Sequence, residues 1–147
     1  MRWLVMLAMV ICLLVAGNAQ AVNLWAMYED TSFITRLGTD IGDSFEVGAE
    51  LQSSMDWDYP FTGTDYLGGI YGIAKVGDRN AFINPYVGGR ILTTFESDFD
   101  AVIGGPVVGV LIKEVVVIEG RNQYWSSNMD CWKPDEWVFS AGVTLRF

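Results

Sequence analysis

The last eleven residues, Trp137-Val-Phe-Ser-Ala-Gly-Val-Thr-Leu-Arg-Phe147, change character at almost every step. Trp137, Phe139, Ala141, Val143, Leu145 and Phe147 fall on one side of an extended chain; Val138, Ser140, Gly142, Thr144 and Arg146 fall on the other. Successive side chains of a strand point to opposite faces, so this period of two gives one apolar wall and one mostly small or polar wall.

Turn signals divide the preceding chain in the same manner, giving eight expected strands at 23–28, 33–41, 45–55, 66–76, 81–95, 101–112, 115–125 and 137–147. Most approach the roughly 9–11 residues that a tilted membrane strand requires. Sixteen glycines suit the bends and close packing of a curved sheet. The connections alternate in length. Gly42-Asp43-Ser44, Gly77-Asp78-Arg79-Asn80 and Lys113-Glu114, after strands two, four and six, are tight, and the intervening ones are longer. That parity fits a barrel with short turns at one end and loops at the other, and eight strands put both termini at the turn end.

Register follows from the second and third strands. Pairing Ile41 with Phe45 sets Leu37 against Ala49, Thr39 against Val47 and Arg36 against Glu50. Phe45, Val47, Ala49 and Leu51 then share one face, and Glu46, Glu50 and Gln52 the other; a two-residue turn would mix them. A bulge is expected at this hairpin end. Pro85 and Pro106 lack an amide donor, so each is expected to mark a bulge or a break in its ladder.

A final strand that ends in Phe147, with Phe139, Val143 and Leu145 at alternating positions before it, resembles that of bacterial outer-membrane β-barrel proteins. The chain resembles small barrels of the OmpA transmembrane-domain and OmpX type. The resemblance covers residues 22–147 in architecture but only the last strand in motif. It implies an all-β fold: an eight-stranded antiparallel up-and-down transmembrane β-barrel. It also implies that Phe139, Val143, Leu145 and Phe147 form the signal read by the barrel-assembly machinery.

The amino terminus is expected to be a signal peptide, 1–21, followed by the barrel domain at 22–147. Arg2 precedes an apolar run from Trp3 to Ala16 that is too short for a comfortable membrane span, and Ala19-Gln20-Ala21 fits a cleavage site. Cleavage leaves Cys131 as the one cysteine, so no internal disulfide is expected. A formal net charge of −9 argues against a nucleic-acid partner. Half of the residues are hydrophobic, yet no later apolar run approaches a spanning helix, which suits a membrane barrel in composition.

In such a barrel the polar faces turn inward. They carry Arg36, Asp40, Glu46, Glu50, Arg90, Glu119, Arg121 and Arg146, with Gly38, Gly48, Gly88 and Gly142 between them leaving room for the arginine stems. In the fifth strand Ile83, Val87, Ile91 and Phe95 are expected to face lipid, and Asn84, Tyr86, Arg90 and Thr94 the interior. In the seventh, Val116, Ile118 and Tyr124 face out while Glu119, Arg121 and Gln123 face in. The fourth and sixth strands are apolar on both faces and leave their orientation open.

Catalysis has little to work with. Histidine is absent, removing the usual general base and the commonest metal ligand. No enzymatic activity, cofactor or metal is therefore expected. Eleven of the eighteen acids, Glu29 among them, are assigned to loops. Asp56-Trp-Asp58 and Asp98-Phe-Asp100 offer carboxylate pairs for a hard cation, but a solvated acidic surface is the preferred reading. Trp57, Tyr59, Phe61 and Trp132 stand out as a loop surface for a ligand.

The expected protein is thus a monomeric outer-membrane barrel with a side-chain-filled lumen. Its partners would be membrane lipid or lipopolysaccharide, the assembly machinery and a surface ligand. Two alternatives remain: a secreted soluble barrel or sandwich that binds an apolar ligand, and a narrow pore for small solutes.

Overall fold

A computed structural model of the chain describes residues 21–29, 32–54, 66–78, 80–94, 102–122, 124–125 and 137–147. The strands are β1 (Val22–Glu29), β2 (Ser32–Ile41), β3 (Phe45–Ser54), β4 (Tyr66–Lys75) and β5 (Ile83–Thr94). They continue with β6 (Val102–Ile112), β7 (Val116–Asn122), β8 (Tyr124–Trp125) and β9 (Trp137–Arg146). Both β7 and β8 pair with β6 on a single register, Val107 opposite Arg121 and Ile103 opposite Trp125, so they are two parts of one barrel strand. Each strand is antiparallel to its chain neighbours, and pairing of β1 with β9 closes the circle. The fold is an eight-stranded up-and-down β-barrel.

The ladders are staggered. Val22 leads across successive partners through Thr39, Val47, Gly72, Gly89 and Pro106 to Asn122 and Trp137. On the β1–β9 register, where Asn23 faces Arg146, Trp137 falls opposite position 32, ten residues above the start. A stagger of this kind obliges the strands to tilt by roughly 35–45° to the barrel axis. Closure leaves a lumen that side chains fill.

The β2–β3 register is the expected one, from Ser32 opposite Ser54 to Ile41 opposite Phe45, but its ladder is unbroken and carries no bulge. Gly42 turns the chain at φ +66, which glycine adopts without penalty, so no extra ladder residue is needed. The bulge lies at another turn. Val115 N–H donates to Ile112 O while Ile112 pairs with Val116, leaving Val115 as the additional residue. Lys113 and Glu114, at φ 52 and 55, make that turn. The Lys113 amide donates to Phe82 O, and its ammonium lies 5.4 Å from the centre of the Phe82 ring.

Pro85 breaks no pairing with β6: it sits opposite Val110 in a continuous ladder, one residue beyond the last β4 pair, Lys75 with Tyr86. Pro106 likewise sits in a continuous ladder with β5, opposite Gly89. On its other side the described pairs end at Val107 with Arg121 and resume at Gly104 with Tyr124, across position 123, which lies outside the described residues.

Alternation governs both walls. Phe33, Leu37, Leu51, Ile83, Val87, Ile91, Val116, Ile118, Phe139, Val143 and Leu145 stand exposed on the outside. Every charged side chain of the described strands lies on the inward register: Glu29, Arg36, Asp40, Glu46, Glu50, Lys75, Arg90, Glu119, Arg121 and Arg146. The two strands of open orientation are resolved too. Leu67, Tyr71, Ile73 and Lys75 of β4 and Ile103, Val107 and Leu111 of β6 are buried inside.

The interior is more apolar than expected. Trp25, Met27, Ile34, Tyr71, Ile73, Tyr86, Val107, Leu111 and Val117 form one cluster, and Leu67, Leu92 and Ile103 a second toward the loop end. The inward glycines accommodate rings as well as arginine stems. A Cβ on Gly38 would collide with the Tyr71 ring, and one on Gly109 with Tyr86.

Candidate functional site: a paired polar column inside the barrel

Strand parity delivers the charges to the lumen, where a carboxylate or guanidinium persists only if partners replace its water. Arg36 of β2 is the centre. Its Nη1 and Nη2 donate to the Glu119 carboxylate at 2.5 and 2.8 Å, a bidentate pair, and its Nε donates to Glu50 Oε2 at 2.6 Å. The guanidinium carbon lies 4.8 Å from the Tyr71 ring centre and 5.7 Å from that of Trp25. Tyr86 OH donates to Glu119 Oε2 at 2.7 Å, and its ring meets Trp25 edge-on at 5.7 Å.

Toward the loop end, Glu50 divides its oxygens between two arginines, giving Oε1 to Arg90 Nη1 at 2.5 Å. The same Nη1 reaches Gln52 Oε1 at 3.1 Å. Arg121 pairs with Glu29 and lies 3.8 Å from Glu119 Oε1. Toward the turn end, Tyr71 OH donates to Glu46 Oε1 at 2.5 Å. Lys75 Nζ bridges Asp40 and Glu46 at 3.1 and 3.0 Å, and Asn23 Nδ2 donates to the same two carboxylates.

Of the eight residues expected in this cluster, Arg36, Glu46, Glu50, Arg90, Glu119 and Arg121 are buried, and the Asp40 side chain is nearly so. Arg146 differs. Its side chain is 36% exposed at the turn-end mouth, where it contacts Asp40 at 3.3 Å and Glu114 at 3.6 Å. It stands one residue from the chain's last, beyond the packed length of the lumen. Glu29, assigned to a loop from the sequence, is instead the buried last residue of β1 and the partner of Arg121.

Gln52, expected on the face of Glu46 and Glu50, belongs to the column, as do Trp25, Tyr71, Lys75 and Asn23, which the sequence reading does not single out. The signal for Tyr71 was present: Lys75 is the one charge in Tyr66–Lys75, and it fixes the odd positions of that strand as inner ones. Asn23 and Glu29 do the same for Trp25 and Met27 in β1. β6 has no such marker; its inner face follows only from pairing Val107 with Arg121 and Gly109 with Glu119.

Among the expected assembly residues, Phe139, Val143, Leu145 and Phe147 all project outward and exposed. Phe147 exchanges backbone hydrogen bonds with Val22, which ties the chain's end to the first strand. Trp57, Tyr59, Phe61, Trp132, Cys131, the carboxylate pairs, Phe95, Gln123 and positions 1–20 lie outside the described residues, as do the side chains of Thr94 and Tyr124. Among the described residues no group of three or more candidate ligands could hold a metal ion. Comparison with protein-family models, curated proteins and solved structures finds no match.

Chemically, the column is an electrostatic filler. Its acids and bases neutralise each other across six strands, β1 to β5 and β7.

Proposed function

We propose that this protein is an integral outer-membrane β-barrel without enzymatic activity, held by its strands in lipid and sealed along its axis by the paired column. One observation carries the reading: the described strands point every charged side chain inward and leave an uncharged, largely hydrophobic band outside. In water such a continuous apolar surface promotes association; in a bilayer it is the required solvent-facing wall. A soluble barrel binding an apolar ligand needs the reverse inversion, with charges outside.

The lumen supports a closed rather than a conducting barrel, since Arg36, Trp25, Tyr71 and Tyr86 fill its middle. The outward Phe139, Val143, Leu145 and Phe147 are proposed to be the strand recognised during assembly. The loops, acidic and rich in tryptophan and tyrosine, are proposed to meet lipopolysaccharide or a surface ligand.

Fractionation of expressing cells tests the location. Extraction only by detergent and a mobility shift on heating before electrophoresis are expected; release in soluble form by osmotic shock would overturn the proposal. Planar-bilayer recording tests the seal, with conductance far below that of an open porin expected.

A further inference from the structure

Several buried side-chain polar atoms have no hydrogen-bond partner, among them Trp25 Nε1, Asn122 Oδ1 and, ion pairing apart, Glu29 Oε2 and the Arg121 nitrogens, and two further groups lie inside the barrel. The first is at the loop end, where Gln52 Nε2 and Arg90 Nε and Nη2 have no hydrogen-bond partner. Gln52 and Arg90 touch through Arg90 Nη1, so these donors form one cluster, and both residues are buried. The second is Asn84 near the turn end, with Nδ2 and Oδ1 both unpartnered and the residue 1% exposed. Arg90 lies six positions along β5 from Asn84, about 20 Å of strand. The Tyr86 ring, Trp25 and the Arg36 ion pairs occupy the space between.

We infer that these are two separate internal water sites, at Gln52–Arg90 and at Asn84, on opposite sides of the Arg36 plug. Buried donors and acceptors without partners are costly, and ordered water is the usual remedy where two or more polar groups converge. The charges decide against an ion at the loop-end site. Arg36, Arg90 and Arg121 are already balanced by Glu29, Glu50 and Glu119, so a bound anion would enter a neutral, low-dielectric interior uncompensated. Asn84 lacks both a donor and an acceptor, and water supplies both. This conclusion rests on the interior alone and holds whether or not the outer wall meets lipid.

Water–protein cross-relaxation measured by NMR on the folded barrel in detergent or nanodiscs tests it. The side-chain amides of Gln52 and Asn84 should show bound-water cross-peaks several-fold stronger than that of Asn23, whose amide already serves Asp40 and Glu46. In a Gln52→Leu variant the Arg90 Nε–H signal should keep its cross-peak and Asn84 should be unaffected. Absence of bound water at either amide overturns the inference. So does equal intensity at all three, which would mean one continuous water file. Failure of the membrane reading would leave these spectra unchanged.

Discussion

The outer and inner walls of the barrel are made of the same strands, one residue out of phase, and they solve opposite problems. In β9, Val143 and Leu145 are about half exposed on the outside, whereas Ser140 and Thr144, at the alternating positions, are buried within. The outer wall carries no charge along the described strands, and hydroxyls on it, such as Thr39 on the Ala21 carbonyl, bond to backbone. The inner wall must find partners for its charges, and Arg36, Glu119, Glu50 and Lys75 pair with one another or with neighbouring charges to supply many of them. One wall is fault-tolerant and the other is not.

Substitutions can break that contrast in order of effect. The largest loss is expected inside, from Arg36→Met, which leaves Glu119 and Glu50 buried and short of a cation; about 3–5 kcal/mol is usual for breaking a buried pair. Urea unfolding in lipid bilayers reads this, and Arg36→Met with Glu119→Met should recover part of the loss. On the outer wall, Val143→Arg should cost about 2–4 kcal/mol if that position meets the bilayer middle, and close to nothing if it meets water. The same unfolding assay separates the two.

Glycines sharpen the comparison on a smaller scale. Inward Gly48 lies against the Leu37 carbonyl, so Gly48→Ala is expected to cost about 1–3 kcal/mol through overpacking. Outward Gly72 has ordinary van der Waals room, so Gly72→Ala should shift stability by less than about 0.5 kcal/mol. Equal losses would mean that the two walls are packed alike. The smallest effect should be a gain. Lys113 and Glu114 both hold positive φ, a conformation that costs L-residues roughly 1–2 kcal/mol each and that Asn-Gly adopts readily. Replacing them with Asn-Gly should stabilise the barrel by about 1 kcal/mol net, because the Lys113–Phe82 and Arg146–Glu114 contacts are lost in exchange.

Where a strand carries charges on one face and hydrophobic residues on the other, its pairing and orientation were legible before any coordinates. The β2–β3 register is the clearest instance, since Arg36 opposite Glu50 and Leu37 opposite Ala49 permit one alignment only. β4 and β6 were not legible in the same way, because outward glycines at 68, 72 and 104 remove the contrast between faces. The column was legible as a set of charges but not as a network. Alternation says that Arg36 points inward; only closure of the circle says that it meets Glu119, 83 residues away. The packing of the inward rings was not legible for a related reason: Tyr71 of β4 lies over Gly38 of β2 and Tyr86 of β5 over Gly109 of β6, an arrangement that depends on stagger and not on local pattern.

Spin labels at successive positions 140–145 of the protein in lipid bilayers test the central claim most directly, by comparing relaxation from oxygen with that from an aqueous nickel chelate. Labels at Ala141, Val143 and Leu145 should respond to oxygen and ignore nickel, while those at Ser140, Gly142 and Thr144 respond weakly to both. Strong nickel relaxation at 141, 143 and 145 would place that wall in water and contradict the account.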